Sequence, residues 1–390
     1  MSVDEVVKNI KRRPTRAVYV ADLVIGGGAP VSVQSMCATK TQDIPATLGQ
    51  INLLQEHGAD IIRVAVDSRR DVECLSVIRK QTGARLAVDL QESYRLAEDV
   101  APFVQKIRYN PGHLHHHEKS VPVFDKVKFI VECAKAHRCA LRIGVNFGSI
   151  DPSQMGVAED PMDAALASAR EHVGYMEKLG FENFIVSLKS SDPNDVIDIN
   201  KRFSDEFPAV PLHLGVTEAG MLPVGEVKSR VAFENLLAVG VGDTLRVSLT
   251  LPFEQKGEEV KIGRRIISDV AAGIFRSVPR FEQRGLNLIS CPSCSRVENE
   301  KFVELAQQVC EMSRFAAEED ITIAVMGCRV NGPGETDDAD IGLWCAASHV
   351  NLKRKSELVG AFSYEEIVGR VRLELEQLLQ DRDKSRVITA

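Results

Sequence analysis

Apolar residues along this chain fall into two alternating rhythms. Short β-rich runs recur between residues 31 and 249: VSVQSM (31–36), IIRVAV (61–66), RLAVDL (85–90), KIRYN (106–110), LRIGVN (141–146), FIVSLK (184–189), PLHLGV (211–216) and TLRVSL (244–249). Between them lie stretches with apolar residues three and four positions apart, such as PATLGQINLLQEHG, which closes on a glycine as helices do. Eight strand–helix units over roughly 250 residues predict a (β/α)8 TIM barrel, with an open doubly wound sheet as the alternative. No G-x-G-x-x-G follows an early strand, which weakens a dinucleotide site, and IGGGAP precedes a strand and reads as a turn. The AVYVADLVI segment before it reads as a hairpin plugging the lower end of the barrel.

After RSVPRFEQRG the rhythm changes. A strand, LNLIS, runs into Cys291, and Cys294 precedes SRVENEKFVELAQQVCEMSRFAAEE. Ser295 with Glu298 spells a capping box, so a helix is expected to begin there and aim its amide end at the cysteine pair. A second strand, ITIAVMG, delivers Cys328, and the tight-turn signals of VNGPGE are expected to present Glu335 beside it. YEEIVGRVRLELEQLL supplies a last helix. The expected division is a barrel over residues 1–280 and a small α/β domain over residues 281–390.

Composition narrows the class. With 44% hydrophobic and 26% charged residues in 390, this is a folded chain of more than one domain. A net charge of −7 argues against a general nucleic-acid role, and the basic IKRRPTR run reads as solvated surface. No apolar run reaches membrane-span length, and MSVDEVVKNIKRRPTR lacks the apolar block of a signal peptide, so no membrane association and a cytoplasmic location are expected. Nine cysteines, an odd number without a signal peptide, favour metal or catalytic use over a disulfide framework. Cys37, Cys74, Cys133, Cys139 and Cys310 sit in ordinary apolar or helical settings and read as buried fillers.

The strands carry an unusual charge. Arg63, Arg108, Arg142 and Arg246 lie inside strands among apolar residues, and Lys189 closes the sixth. A buried cation is costly unless paired. Asp89 and Glu218 are the available partners, so five cations against two carboxylates leave a positive surplus at the strand ends, where barrel active sites lie. Such a surplus suits a phosphorylated ligand, because guanidinium forks match phosphate oxygens. Asn110, Asn146, His213, Thr217 and Ser248 share these strand ends, and Glu218 is the best general acid/base candidate. The HLHHHE cluster (113–118) lacks regular ligand spacing and reads as a solvated loop.

Cys291, Cys294 and Cys328 make three soft ligands. Spacing alone leaves two readings open: a closed zinc site completed by Cys345, or an iron–sulfur cluster with a weaker fourth ligand.

The order of RRPTRAVYV, PVSVQSM, KIRYNPG, LRIGVNFGSID, SLKSSD, PLHLGVTEAG, VKSR, GVGDTLRVSLT, ISCPSCSR and MGCRVNGPGE resembles the family of bacterial (E)-4-hydroxy-3-methylbut-2-enyl diphosphate synthases across nearly the whole chain. The resemblance implies a TIM barrel joined to an iron–sulfur domain like the repeat of sulfite and nitrite reductases. It implies a 4Fe–4S cluster held by Cys291, Cys294, Cys328 and Glu335, with Cys345 a bystander. The implied reaction is reductive ring opening of 2-C-methyl-D-erythritol 2,4-cyclodiphosphate, with electrons from flavodoxin or ferredoxin. Arg63, Arg108, Arg142, Asn146, Lys189 and Ser248 would then grip the diphosphate, and Glu218 would donate a proton. The implied assembly is a head-to-tail homodimer in which one subunit's cluster domain covers the other's barrel mouth.

Some stretches depart from the family pattern: Gln91 replaces the usual histidine, SMCAT occupies 35–39, His113-Leu114-His115 follows NPG, and LWCAASHVN replaces a glycine-rich stretch. A paralogue acting on a related phosphate ester is one competing reading. A redox-inactive sugar-phosphate barrel with a structural zinc domain is another, and an electron carrier without enzymatic activity is the third.

Overall fold

The structure, a computed structural model, describes residues 12–389 apart from 91–92, 117, 151, 156–157, 159, 278–284, 318 and 331. Gln91, His117 and the expected boundary at 280/281 therefore lie outside the described residues.

A two-strand hairpin, β1 (Val18–Val20) and β2 (Leu23–Ile25), precedes eight barrel strands: β3 (Ser32–Met36), β4 (Ile61–Val66), β5 (Leu86–Leu90), β6 (Lys106–Tyr109), β7 (Ala140–Asn146), β8 (Phe184–Lys189), β9 (His213–Leu214) and β10 (Thr244–Leu245). They pair in parallel in the order β8-β7-β6-β5-β4-β3-β10-β9, and a bridge from Val186 to Leu212 joins the two ends. The sheet therefore closes, which settles barrel against open sheet. Both faces of each strand are covered, one by helices and one by the barrel interior, which is why β4, β5 and β8 are buried throughout.

The hairpin seals the lower end: Val18, Val20 and Ile25 pack on Ile61, Ala87, Ala140 and Ile185 near the starts of four strands. In the basic run just before it, Arg12 and Arg16 are not solvated surface, and Lys11 lies outside the described residues. Arg12 pairs with Asp243, Arg13 bonds Asp205 at 2.6 Å, and the Arg16 guanidinium stacks 4.1 Å above the Phe184 ring. Acidic and aromatic groups on the lower rim hold these cations, which local composition does not reveal.

The second domain is a five-stranded sheet of β11 (Asn287–Ser290), β12 (Thr322–Met326), β13 (Ile341–Cys345), β14 (Val350–Arg354) and β15 (Glu357–Phe362), in that order. Alternation sorts its side chains. Ile323, Val325, Ile341, Leu343 and Cys345 pack under the helices Phe302–Met312 and Ile367–Thr389, whereas Ala324, Met326 and Trp344 share the opposite face with Cys291.

The expected helix start at Ser295 does not form. The helix begins at Phe302, and Glu298 instead accepts from the Ala347 amide at 3.2 Å and pairs with Arg329. Residues 291–301 wrap the cysteines and send Arg296 toward the barrel, so tertiary contacts override the local cap. Nor is His113 solvated: it is 4% exposed, and its ring stacks on His116 at 5.1 Å. Of the expected filler cysteines, Cys37, Cys133 and Cys139 are buried and Cys74 and Cys310 are half-buried. No helix among the described residues is long and apolar enough to cross a membrane.

Candidate active site

The second domain sits on the barrel mouth of its own chain, where the resemblance implied a partner's domain. Ala219 bridges to Ser290, the Thr250 hydroxyl reaches Ser290 Oγ at 3.0 Å, and Lys256 Nζ donates to the Pro292 carbonyl at 2.6 Å. Between the domains lies one cavity lined by Arg63, Arg108, Arg142, Asn146, Lys189, Glu218 and Ser248 from the barrel and by Cys291, Cys294 and Cys328 from the cap. Arg246 and Arg296 line it too. The geometry thus gathers every barrel residue singled out above as a ligand contact and adds two arginines to them. Arg246 was visible as a strand cation, whereas nothing in SCPSCSR signals that Arg296 would turn inward.

Few carboxylates answer this charge. Asp89 Oδ1 accepts from Arg108 Nη1 at 2.9 Å. Burial alone would raise the Asp89 carboxyl, but Arg108, Arg63, Arg296 and Arg142 override it and hold it well below the ordinary range. Glu218 does not pair with the arginines, contrary to the expectation that it was available to them. Among the described residues the Arg63 guanidinium donates to Met36 sulfur, at 3.0 and 2.8 Å, and to no carboxylate, and burial lowers its pKa to about 9. Arg142 Nε and Nη1 and Arg246 Nε and Nη2 are buried without hydrogen-bond partners among the described residues. Burial first, then repulsion among these cations, presses Arg142 and Lys189 well below their usual values. A Cβ at residue 215 would stand 2.3 Å from Lys189 Nζ, so Gly215 makes the room that this ammonium occupies. His213 is fully buried with both ring nitrogens unpartnered among the described residues, and desolvation keeps it neutral.

Glu218 faces the cap. Its carboxyl bonds that of Glu335, and desolvation, then Glu335 and Cys328, raise its pKa well above the ordinary range. Its backbone is held at φ +50°, an uncommon conformation for a side-chain-bearing residue. Glu335 ends the short helix Gly332–Glu335. A Cβ added to Gly148 would lie 2.7 Å from Glu335 Cδ. Gly148→Ala is therefore expected to push the Glu335 carboxyl off Glu218, read as several-fold faster amide exchange at 332–336 with barrel exchange unchanged.

None of the nine cysteines forms a disulfide. Cys291 Sγ accepts the Gly327 amide at 3.2 Å, and desolvation followed by the neighbouring Cys328 and Cys294 push its thiol well up. Thiolates gathered on one centre need strong positive charge beside them, which a metal cluster supplies, and an N–H···S bond is the kind that tunes one. Cys345 lies on the other face of its sheet, fully buried and pushed up to about 12 by that burial. It cannot reach the thiols without inverting β13. Among the described residues no three such donors yet stand close enough to hold a metal ion, and with Cys345 on the other face the donor types suit an iron–sulfur cluster better than a tetrathiolate zinc site.

Residues 15–264 match the GcpE TIM-barrel domain family, and residues 287–377 match the GcpE protein C-terminal domain family. The chain is 55% identical over 372 residues to the 4-hydroxy-3-methylbut-2-en-1-yl diphosphate synthase (flavodoxin) of Rhodopirellula baltica, covering 95% of this chain and 97% of that one. To the enzyme of the same name from Shewanella loihica it is 40% identical over 336 residues, 86% and 85% of the two chains. Among solved structures, phospho-2-dehydro-3-deoxyheptonate aldolase of Thermotoga maritima aligns at 14% identity with a TM-score of 0.45, over 68% of this chain and 75% of that one.

Proposed function

The chain belongs to the GcpE family, and we infer that it is a 4-hydroxy-3-methylbut-2-en-1-yl diphosphate synthase of non-mevalonate isoprenoid synthesis. Its substrate is 2-C-methyl-D-erythritol 2,4-cyclodiphosphate: two electrons enter, the ring opens and water is lost. The observation that carries this reading is one cavity in which guanidinium nitrogens of Arg142 and Arg246, without a partner among the described residues, face the sulfurs of Cys291, Cys294 and Cys328.

Arg63, Arg108, Arg142 and Lys189, with Asn146 and Ser248, are the groups proposed to hold the diphosphate, and the geometry supports adding Arg246. Negative charge grows on a phosphate oxygen as the ring C–O bond breaks. Fixed guanidiniums already aimed at the cavity stabilise it without reorganising. Cys291, Cys294, Cys328 and Glu335 are the proposed ligands of a 4Fe–4S cluster. When bound, that cluster supplies electrons one at a time, from flavodoxin or from ferredoxin in its place. Glu218, whose proton is retained by desolvation, is the proposed donor to the oxygen that leaves as water.

Reconstituted under anaerobic conditions and given reduced flavodoxin, the protein is expected to convert the cyclodiphosphate. A fully loaded enzyme that left it untouched would defeat the reading. Glu218→Gln should retain iron but lower kcat about 100-fold. The raised pKa sets the sign of the pH effect. The donor is protonated below that pKa, so wild-type turnover falls as pH climbs through it, and a pH–rate profile of the glutamine variant should lack that limb.

We further propose a cytoplasmic head-to-tail homodimer, in which the contacts between cap and barrel described above form between chains. Sedimentation equilibrium tests it, and a monomer with full turnover would show that closure within one chain suffices.

A further inference from the structure

Arg63 is held by sulfur rather than by oxygen. In the parallel sheet its register partners are Met36 of β3 on one side and Ala87 of β5 on the other. Adjacent strands sit about 4.8 Å apart, so these two side chains flank the arginine at its own level. Alanine offers no acceptor there, and methionine offers a thioether. Arg63 Nε and Nη2 both donate to the Met36 sulfur, at 3.0 and 2.8 Å. Asp89, two residues further along β5, is already engaged. Its Oδ1 accepts from Arg108 at 2.9 Å, and its Oδ2 lies 3.5 Å from Arg296 Nη1.

The acceptor matters because a guanidinium has two usable edges. Sulfur fills the side-on edge of Nε and Nη2, which leaves the end-on edge of Nη1 and Nη2 for a second acceptor. Among the described residues Nη1 makes no hydrogen bond, and Met36 and Arg63 both line the cavity. A carboxylate in place of the sulfur would orient the group too, but it would cancel the charge and compete with an anionic ligand. A thioether is neutral and only a weak acceptor, so it sets the plane of the guanidinium without drawing on its charge. Burial offsets that weakness, with Met36 3% and Arg63 7% exposed.

We propose that Met36 is a positioning residue, whose sulfur turns the end-on edge of Arg63 toward a phosphate group without neutralising the arginine. Met36 acts here through Arg63, so its role rests on the reading above that Arg63 holds the diphosphate. Methionine is otherwise a common gap-filler in cores, and the two roles predict opposite orders among substitutions.

Titration calorimetry on the cluster-loaded full-length protein, with inorganic diphosphate and then the cyclodiphosphate, separates them. Met36→Leu keeps the volume and removes the acceptor. It should bind both anions about tenfold more weakly, as loss of a modest hydrogen bond would give. Met36→Gln supplies a carbonyl oxygen at similar reach and should return to within about threefold of wild type. Met36→Glu should bind about 100-fold more weakly, because the new carboxylate pairs with Arg63 and repels the ligand. KM should follow the same order, with kcat changing less than about threefold. A gap-filling methionine would give the reverse: Leu like wild type, and Gln impaired by its buried amide. That order, or equal weakening in Leu and Gln, would overturn the positioning role. Binding of inorganic diphosphate involves no turnover, so the expected order in a protein that left the cyclodiphosphate unconverted would defeat the assigned reaction and still support Met36.

Discussion

Arg142→Met is expected to lower kcat/KM for the cyclodiphosphate by roughly 1,000-fold or more while leaving the fold as stable as before or more so. Arg142 is 2% exposed in β7, and two of its nitrogens, Nε and Nη1, have no partner among the described residues. A charge-assisted hydrogen bond contributes about 1.5–3 kcal/mol, so two of them to a phosphate sum to roughly 3–6 kcal/mol. About 4 kcal/mol corresponds to three powers of ten in rate or affinity. In the unliganded protein the same side chain opposes folding, since burial and then Arg63 and Arg108 press against its charge. Replacing a buried, poorly paired charge with an apolar side chain of similar size is commonly neutral or stabilising by about 1–4 kcal/mol. Titration calorimetry with the cyclodiphosphate and a thermal melt read the two effects separately. A lower melting temperature with normal binding would mean that the arginine is a structural strut, and the phosphate site would lose its central member.

The second large effect separates two cysteines that spacing cannot tell apart. Cys328→Ser should lose most of its iron and sulfide and all measurable turnover, because an alcohol does not replace a thiolate on iron. Cys345→Ser should keep its full complement, with a broad absorption band near ~410 nm, and pay only in stability. That loss is about 1–3 kcal/mol, the usual penalty for putting a hydroxyl into a fully buried apolar layer. The reason is the face each residue occupies: Cys328 opens onto the cavity, and Cys345 packs with Leu343 and Val350 beneath the helices. Iron and sulfide analysis of anaerobically purified protein decides it. Equal loss in both variants would return the zinc reading to contention.

Much of this architecture was legible in the chain. Hydrophobic period depends on immediate neighbours, so β4 and β8 run from Ile61 to Val66 and from Phe184 to Lys189, as their apolar runs predict. The charge surplus was legible as well, because an arginine amid apolar strand residues is costly wherever the strand goes. The failures share one cause. Ser295 and Glu298 spell a helix cap, but Glu298 is drawn to the Ala347 amide and Arg329, and the helix starts at Phe302. Arg12 sits in an ordinary basic run, yet Asp243 on the lower rim buries it. Glu218 looked like a counter-ion for the arginines and instead meets Glu335 from the cap.

The residue types and their spacing determined, without any coordinates, eight strand–helix units with cations along their strands and three thiols beyond them, while closure of the sheet into a barrel was left to the structure. Only the tertiary structure decided which groups meet across the mouth: Arg296 with Asp67 and Asp89, Glu335 with Glu218, and Cys345 turned away from the other thiols. Period and propensity are set within a few residues of chain. These pairings depend on how one domain is seated on another, and that is governed by burial and charge summed over segments tens to hundreds of residues apart.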